Sequence, residues 1–309
     1  MGEAVLLASE RGEVGLVEAM AALTAGGSAM DAVEIAVRAA EANLDDHYVG
    51  VGGLPNLLGE VELDASIMDG RTRAAGAVAA VHGYVHPISI ARKVLEQLPQ
   101  HLLLVGAGAE RFAAETGCEA GETLTESAKQ LWRDGLTGPQ ADDSPGEQRY
   151  RASVLARLQG QSGHDGPWGT VNVLALDRAG NLCVGVSTSG YPHKYPGRVG
   201  DSAVIGAGNY CDDRVGGAAC TGRGEMAIRA GTARTVLAGI AAGAEPVDAC
   251  VAALRDAAGL DDPFAAGLQT LVLLPDGRHA GATTRPSGTY SVLTEAMATP
   301  QTVQRRPVD

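Results

Sequence analysis

Apolar positions along this chain change period from region to region, and each period predicts an element. Beyond Gly26-Gly27 and the capping residue Ser28, Val33, Ala36, Val37 and Ala40 share one face, predicting a helix over 28–43 after another over 14–25. A glycine-rich loop over 47–60 leads to the alternating run 61–68, which turns at Asp69-Gly70 into the small-residue strand 74–81. Pro87 opens a helix through Gln97, and His101–Val105 is expected as a buried strand ending in Gly106-Ala107-Gly108. Residues 134–168 are polar and rich in helix breakers apart from a helical stretch at 147–158, the composition of an exposed connector. The strongest local signal follows. Runs 170–176 and 182–188, joined by Ala179-Gly180-Asn181, predict an antiparallel hairpin in which Thr188 falls opposite Thr170. Further on, Glu225–Ala242 is expected as one Ala-rich helix and Pro246–Ala258 as another. Strands are expected at 268–274 and 278–284 around Asp276-Gly277, and from Thr289 to Leu293, with a disordered tail from Pro300 to Asp309.

Composition narrows the class. With 309 residues, 45% hydrophobic content and no internal repeat, the chain is expected to form a single domain, 1–309. A net charge of -13 without any Lys/Arg run excludes nucleic acid or an anionic membrane surface as a partner. The apolar run Ala4–Ala8 is too short for a signal peptide or a membrane span. Five scattered cysteines without a C-x-x-C pair fit reduced thiols and a cytoplasmic location.

Candidate chemistry centres on the Gly169-Thr170 junction. A threonine hydroxyl is a poor nucleophile at its ordinary pKa and needs a base within hydrogen-bond reach. No histidine is well placed for that in the sequence. The α-amino group of Thr170 itself, titrating near roughly 8, would serve once the 169–170 bond is cut. Glycine before the threonine tolerates the backbone strain of such self-attack. Two rival signals fall away. Gly106-Ala107-Gly108 resembles a dinucleotide turn, but Arg111 occupies the position of the third glycine and no acidic residue follows at the required spacing. His82 and His86 are four apart, yet Gly83 and Pro87 oppose the helix that would align them on a metal, which leaves them as solvated loop histidines.

Downstream of the hairpin lie Ser187-Thr188-Ser189-Gly190, Pro196-Gly197-Arg198-Val199-Gly200-Asp201-Ser202, Gly206-Ala207-Gly208-Asn209-Tyr210 and Cys220-Thr221-Gly222-Arg223-Gly224-Glu225. With Glu62-Leu63-Asp64-Ala65-Ser66-Ile67-Met68-Asp69-Gly70, these segments resemble the asparaginase-2 type N-terminal-nucleophile hydrolases, a family that includes glycosylasparaginase and isoaspartyl peptidase/L-asparaginase. The resemblance implies an α+β, four-layer αββα sandwich and a precursor cut into an α piece, 1–169, and a β piece, 170–309. It assigns Thr170 as nucleophile and Thr188 as its hydrogen-bonded helper. Arg198 would clamp a substrate α-carboxylate, and Asp201 with the Gly224 carbonyl would hold its α-ammonium. Thr221 and the Gly222 N–H would form an oxyanion hole. For Arg198 and Asp201 the plain alternative is a surface ion pair beside a turn. The resemblance further implies a homodimer of αβ units, no cofactor for the chemistry, and a loop at 50–64 able to hold a structural sodium ion.

The resemblance is divided over the leaving group. Val51-Gly52-Gly53-Leu54-Pro55 is similar to the glycosylasparaginase loop, whereas His164-Asp165 stands four residues ahead of Gly169 instead of next to the nucleophile. Glu10 takes the place where glycosylasparaginases carry a pocket tryptophan, which predicts a weaker grip on a sugar. The expected order is glycosylasparaginase-like hydrolysis first, isoaspartyl peptidase/L-asparaginase second, and a non-catalytic or nucleotide-binding α/β protein last.

Overall fold

A computed structural model describes residues 2–137, 169–262 and 267–308. Its strands are β1 (Val5–Ser9), β2 (Leu63–Asp69), β3 (Ala75–Val81), β4 (Leu103–Val105), β5 (Val171–Leu176), β6 (Leu182–Thr188), β7 (Asn209–Asp212), β8 (Gly216–Gly222), β9 (Leu268–Leu273), β10 (His279–Thr283), β11 (Thr289–Thr294), β12 (Gln301–Gln304) and β13 (Arg306–Pro307). They form an eight-stranded sheet, β12-β11-β1-β5-β6-β2-β3-β4, and a five-stranded sheet, β13-β10-β9-β8-β7. Pairing is antiparallel throughout, except β3 with β4 and β10 with β13. The protein is therefore of mixed α+β class.

Period-2 alternation explains how the sheets stack, because successive side chains of a strand leave by opposite faces. Leu6 and Ala8 of β1, with Val171, Val173 and Ala175 of β5, face a cluster built with the helices Leu16–Thr24, Ala29–Glu41 and Pro87–Gln97. Their neighbours Val5, Leu7, Leu174 and Leu176 enter a second cluster with Ala219 of β8 and Leu271 and Leu273 of β9. Ala218, Cys220, Leu268 and Val272 on the far face of the small sheet meet the helices Thr232–Ala241 and Pro246–Ala258. Strands buried on both faces read as near-continuous apolar runs, and each fully buried aliphatic side chain contributes about 1.5–3 kcal/mol. Ser28 caps its helix in a full capping box with Asp31.

Several expectations change. Leu103–Val105 is a three-residue edge strand with Leu103 39% and Val105 55% exposed, because β4 has only β3 to pair with. The expected helix over 225–242 is two helices, Gly224–Ala230 and Thr232–Ala241, since Gly231 adopts φ +57. His86 is buried and bonds Glu41 at 3.1 Å, so only His82 remains a half-exposed loop histidine. The tail is ordered as β12 and β13: between them the buried Arg305 donates to the Thr289 and Thr270 carbonyls. Ala4–Ala8 proves to lie in and around an interior strand, β1. The connector enters the helix Glu126–Thr137, and its remainder, with the helix expected at 147–158, lies outside the described residues. Among the described residues no helix is long and apolar enough to cross a membrane, and all five cysteines are free thiols.

Candidate active site

Two antiparallel strands deliver the two threonines. Val171 pairs with Ser187, so Thr170 stands opposite Thr188, and the Thr170 hydroxyl donates to the Thr188 oxygen at 3.4 Å. Thr188 Oγ1 accepts the Gly190 N–H at 2.9 Å and donates to the Gly169 carbonyl at 2.8 Å. That carbonyl belongs to the peptide bond linking Gly169 to Thr170. The junction is tightly seated: a Cβ on Gly169 would lie 1.9 Å from Tyr48 Cβ, so only glycine fits. Ser9 at the end of β1 donates to the Thr170 carbonyl at 3.1 Å and accepts the Asn172 N–H at 2.9 Å, fixing the backbone on the other side.

The segment from Glu62 to Gly70 supports the opposite wall. Gly197 N–H donates to Glu62 Oε1 at 2.7 Å and Gly200 N–H to Asp64 Oδ2 at 3.5 Å, which pins the loop carrying Arg198 and Asp201. Lys194, wholly buried, donates to the Glu62 carbonyl at 3.1 Å with its ammonium 3.7 Å from Glu62 Oε2. Its ammonium thus sits beside Glu62, within the loop at 50–64.

Arg198 and Asp201 are not surface residues. Arg198 lies 4.5 Å from the Tyr191 ring and forks onto Glu225, Nε to Oε1 and Nη2 to Oε2, each at 2.9 Å. Asp201 is 4% exposed and, among the described residues, its Oδ2 has no hydrogen-bond partner. Thr170, Thr188, Arg198, Asp201 and Gly222 line one pocket with Gly169. Gly224 packs behind it, where an added Cβ would come within 2.8 Å of Asp201 Oδ1. Thr221 faces an adjoining pocket that shares Gly169 and Thr170 with the first.

Burial pushes the Asp201 carboxyl up to about 7, against the pull of Arg198. Pairing with an ammonium requires the carboxylate, so kcat/KM for a substrate bearing a free α-amino group is expected to fall about tenfold per pH unit below about 7. The linkage to folding has the opposite sign. The native carboxyl keeps its proton above the unfolded value near roughly 3.9, so its contribution to stability is complete below that value and is lost as pH rises through about 7. A pH–rate profile flat between about pH 5.5 and 7.5 would remove Asp201 from ammonium binding.

Sequence reasoning gave Asn172, Glu225 and Tyr191 no role. Asn172 is buried and its amide donates to Thr221 Oγ1 at 2.5 Å and to the Cys220 carbonyl at 3.0 Å. A hydroxyl that accepts from an NH2 must direct its own proton elsewhere, so Asn172 leaves the Thr221 hydrogen free for another acceptor. The period of β5 was the only available signal, since it puts Asn172 on the same face as Leu174, the face turned toward the five-stranded sheet.

The fold and pocket together define an α+β protein that presents a strand-leading threonine hydroxyl in a pocket lined also by an arginine and a buried carboxylate. The chain belongs to the asparaginase family, whose model matches residues 13–287. It is 41% identical over 220 residues to an isoaspartyl peptidase/L-asparaginase of Rattus norvegicus, covering 70% of this chain and 60% of that protein. It is 39% identical over 239 residues to an N(4)-(beta-N-acetylglucosaminyl)-L-asparaginase of Elizabethkingia miricola, covering 77% of this chain and 64% of that protein. A Danio rerio isoaspartyl peptidase/L-asparaginase is 37% identical over 253 residues, covering 80% and 75%. The matched stretch thus spans less than two thirds of the first two relatives.

Proposed function

We propose that the chain is a self-cleaving amidohydrolase that uses Thr170 to hydrolyse the side-chain β-amide of asparagine derivatives, on a four-layer αββα framework. The observation that carries the proposal is the position of the Thr170 hydroxyl, between a preceding carbonyl already held by Thr188 and a pocket containing Arg198 and Asp201. In the precursor, Thr170 Oγ attacks the Gly169 carbonyl carbon. The Thr188 hydroxyl, donating to that oxygen, stabilises the charge that develops there. The C–N bond breaks as the hydroxyl proton passes to the nitrogen, which frees the Thr170 amine and leaves an ester between Gly169 and Thr170 Oγ; water then cleaves that ester, releasing the piece 1–169 and restoring the Thr170 hydroxyl.

The mature enzyme repeats the chemistry on substrate. Arg198 takes the α-carboxylate, while Asp201 with the Gly224 carbonyl takes the α-ammonium, presenting the β-carbonyl to Thr170. The Thr170 amine accepts the hydroxyl proton as Oγ bonds the β-carbon. Thr221 and the Gly222 N–H hold the oxyanion, and Asn172 keeps the Thr221 proton aimed at it. The leaving amine departs with the proton held by the Thr170 amine, and water cleaves the β-aspartyl ester to give aspartate and restore the Thr170 hydroxyl. The relatives carry both family activities in their names, so the leaving group rests on the adjoining pocket. Its wall includes Glu10, Arg11, Asp46 and Arg285, charged groups that suit a polar amine such as an amino acid better than a sugar needing an apolar platform.

Intact-mass measurement after prolonged incubation is expected to give two pieces, the smaller beginning with Thr170. The mature protein is expected to turn over a β-aspartyl dipeptide, aspartylglucosamine and asparagine, with the dipeptide ahead. Full activity in a chain never cut at Gly169-Thr170 would refute the mechanism. Preference for aspartylglucosamine by more than about tenfold, roughly 1.4 kcal/mol, would restore the glycosylasparaginase reading.

A further inference from the structure

Thr170 lies on the border of two pockets. One contains Arg198 and Asp201; the other contains Glu10, Arg11, Asp46, Thr221, Gln269 and Arg285. A β-amide lying across Thr170 with its α-carboxylate on Arg198 sends its leaving amine into the second pocket. Its formal charges balance, two of each sign, but they are not all paired with one another. Arg11 is paired with Asp46 at 3.2 Å and stacks 4.7 Å from the Tyr48 ring. Glu10 Oε1 is held by the Thr289 N–H at 2.8 Å and the Thr289 hydroxyl at 3.2 Å. Arg285 is different. Its backbone is fixed, N–H to Thr283 Oγ1 at 3.0 Å, but among the described residues its guanidinium meets no carboxylate within ion-pair distance.

Gly267 is the complement of that side chain. A Cβ at Gly267 would lie 2.5 Å from Arg285 Cγ and 2.8 Å from Nε, so the arginine side chain packs flat against a glycine, and the two also border a further pocket with Asp262 and Thr284. Gln269, which is buried, adds an amide to the wall of the pocket that holds Glu10 and Arg285.

We infer that Arg285 is the anchor of a leaving-group subsite that binds the free α-carboxylate of the amino acid released from a β-aspartyl dipeptide. The inference rests on the function proposed above and deepens it. Such a dipeptide carries two carboxylates, one on each side of the scissile amide, and the site offers a guanidinium on each side of Thr170. Glycosylated asparagine and free asparagine have only the first. Glu10, in the same pocket, sets the limit: a leaving residue with an acidic side chain brings a further like charge to it, and a basic side chain does not.

The test compares kcat/KM for β-aspartyl-leucine and β-aspartyl-leucinamide, which differ only in that carboxylate, with asparagine as a third substrate. The parent is expected to favour the free acid by about tenfold or more, the range of a charge-assisted hydrogen bond at a half-buried site. In Arg285→Met that ratio is expected to collapse toward one, and Arg285→Lys to restore part of it. A parent ratio near one, or a ratio retained in Arg285→Met, overturns the subsite. The parent ratio decides even if the variants do not fold. Turnover of asparagine but of neither dipeptide also overturns the subsite while leaving the proposed function standing. No turnover of any of the three overturns both.

Discussion

Replacing Thr170 by alanine is expected to leave a folded single chain with no hydrolytic activity, a loss on the order of 10⁴-fold or more. The change removes a hydroxyl whose hydrogen bond to Thr188 is long, 3.4 Å. Its cost to folding should be within about 1 kcal/mol, visible as a thermal midpoint close to the parent's. In the proposed mechanism the same oxygen does two jobs, attack on the Gly169 carbonyl and attack on substrate, so both should fail together. Thr170→Ser separates the oxygen from its framework. Serine keeps the hydroxyl but lacks the β-methyl that restricts χ1, so it should cut itself and turn over substrate more slowly than the parent. Mass spectrometry and a turnover assay on the same samples decide the matter. An alanine variant that still splits at Gly169-Thr170, or that hydrolyses a β-aspartyl amide as a single chain, would show that another group supplies the nucleophile.

The parts of this site that could be read from sequence are those set by local geometry. Two apolar runs around Ala179-Gly180-Asn181 fix a hairpin register by counting, and counting is enough to place Thr170 against Thr188. The Ser28 cap and the Asp276-Gly277 hairpin are equally local. What stayed hidden depends on contacts between distant segments. Strands β7 and β8 sit in a glycine-rich stretch with weak strand propensity, and β8 exists because glycines such as Gly217 let it press on Val184 of the other sheet. Arg305 is buried only because β12 adds to the sheet edge beside β11. Glu10 comes to Thr289 through the pairing of β1 with β11, in which Ser9 opposes Tyr290. The pocket that holds Glu10 and Arg285 is therefore assembled from both ends of the chain. Glu225 was in view within a motif, but nothing local says that its carboxylate will take one edge of Arg198.

That shared fork makes Arg198→Lys the most informative binding-site change. A guanidinium can serve two carboxylates at once, because it offers two edges. Here the Nε and Nη2 edge is already committed to Glu225 at 2.9 Å, leaving Nη1, with the other hydrogen of Nη2, for the substrate α-carboxylate. Lysine has one ammonium and no edges. If it turns to Glu225 the substrate loses its clamp, and if it turns to the substrate, Glu225 is left as a like charge beside it. Arg223 Nη1, 2.7 Å from Glu225 Oε2, softens that second outcome without restoring the first. The expected loss in kcat/KM is about 2–4 kcal/mol, roughly 30- to 1000-fold, with KM rising and kcat falling as the β-carbonyl loses its orientation. Self-cleavage provides an internal control. The hydroxyls and carbonyl at the Gly169-Thr170 junction bond one another and not Arg198, so the lysine variant should still yield both pieces. Two pieces with turnover equal to the parent's would mean that Arg198 serves the fold through Glu225 and does not touch substrate. A variant that also fails to cut itself would mean that the loop carrying Arg198 shapes the junction.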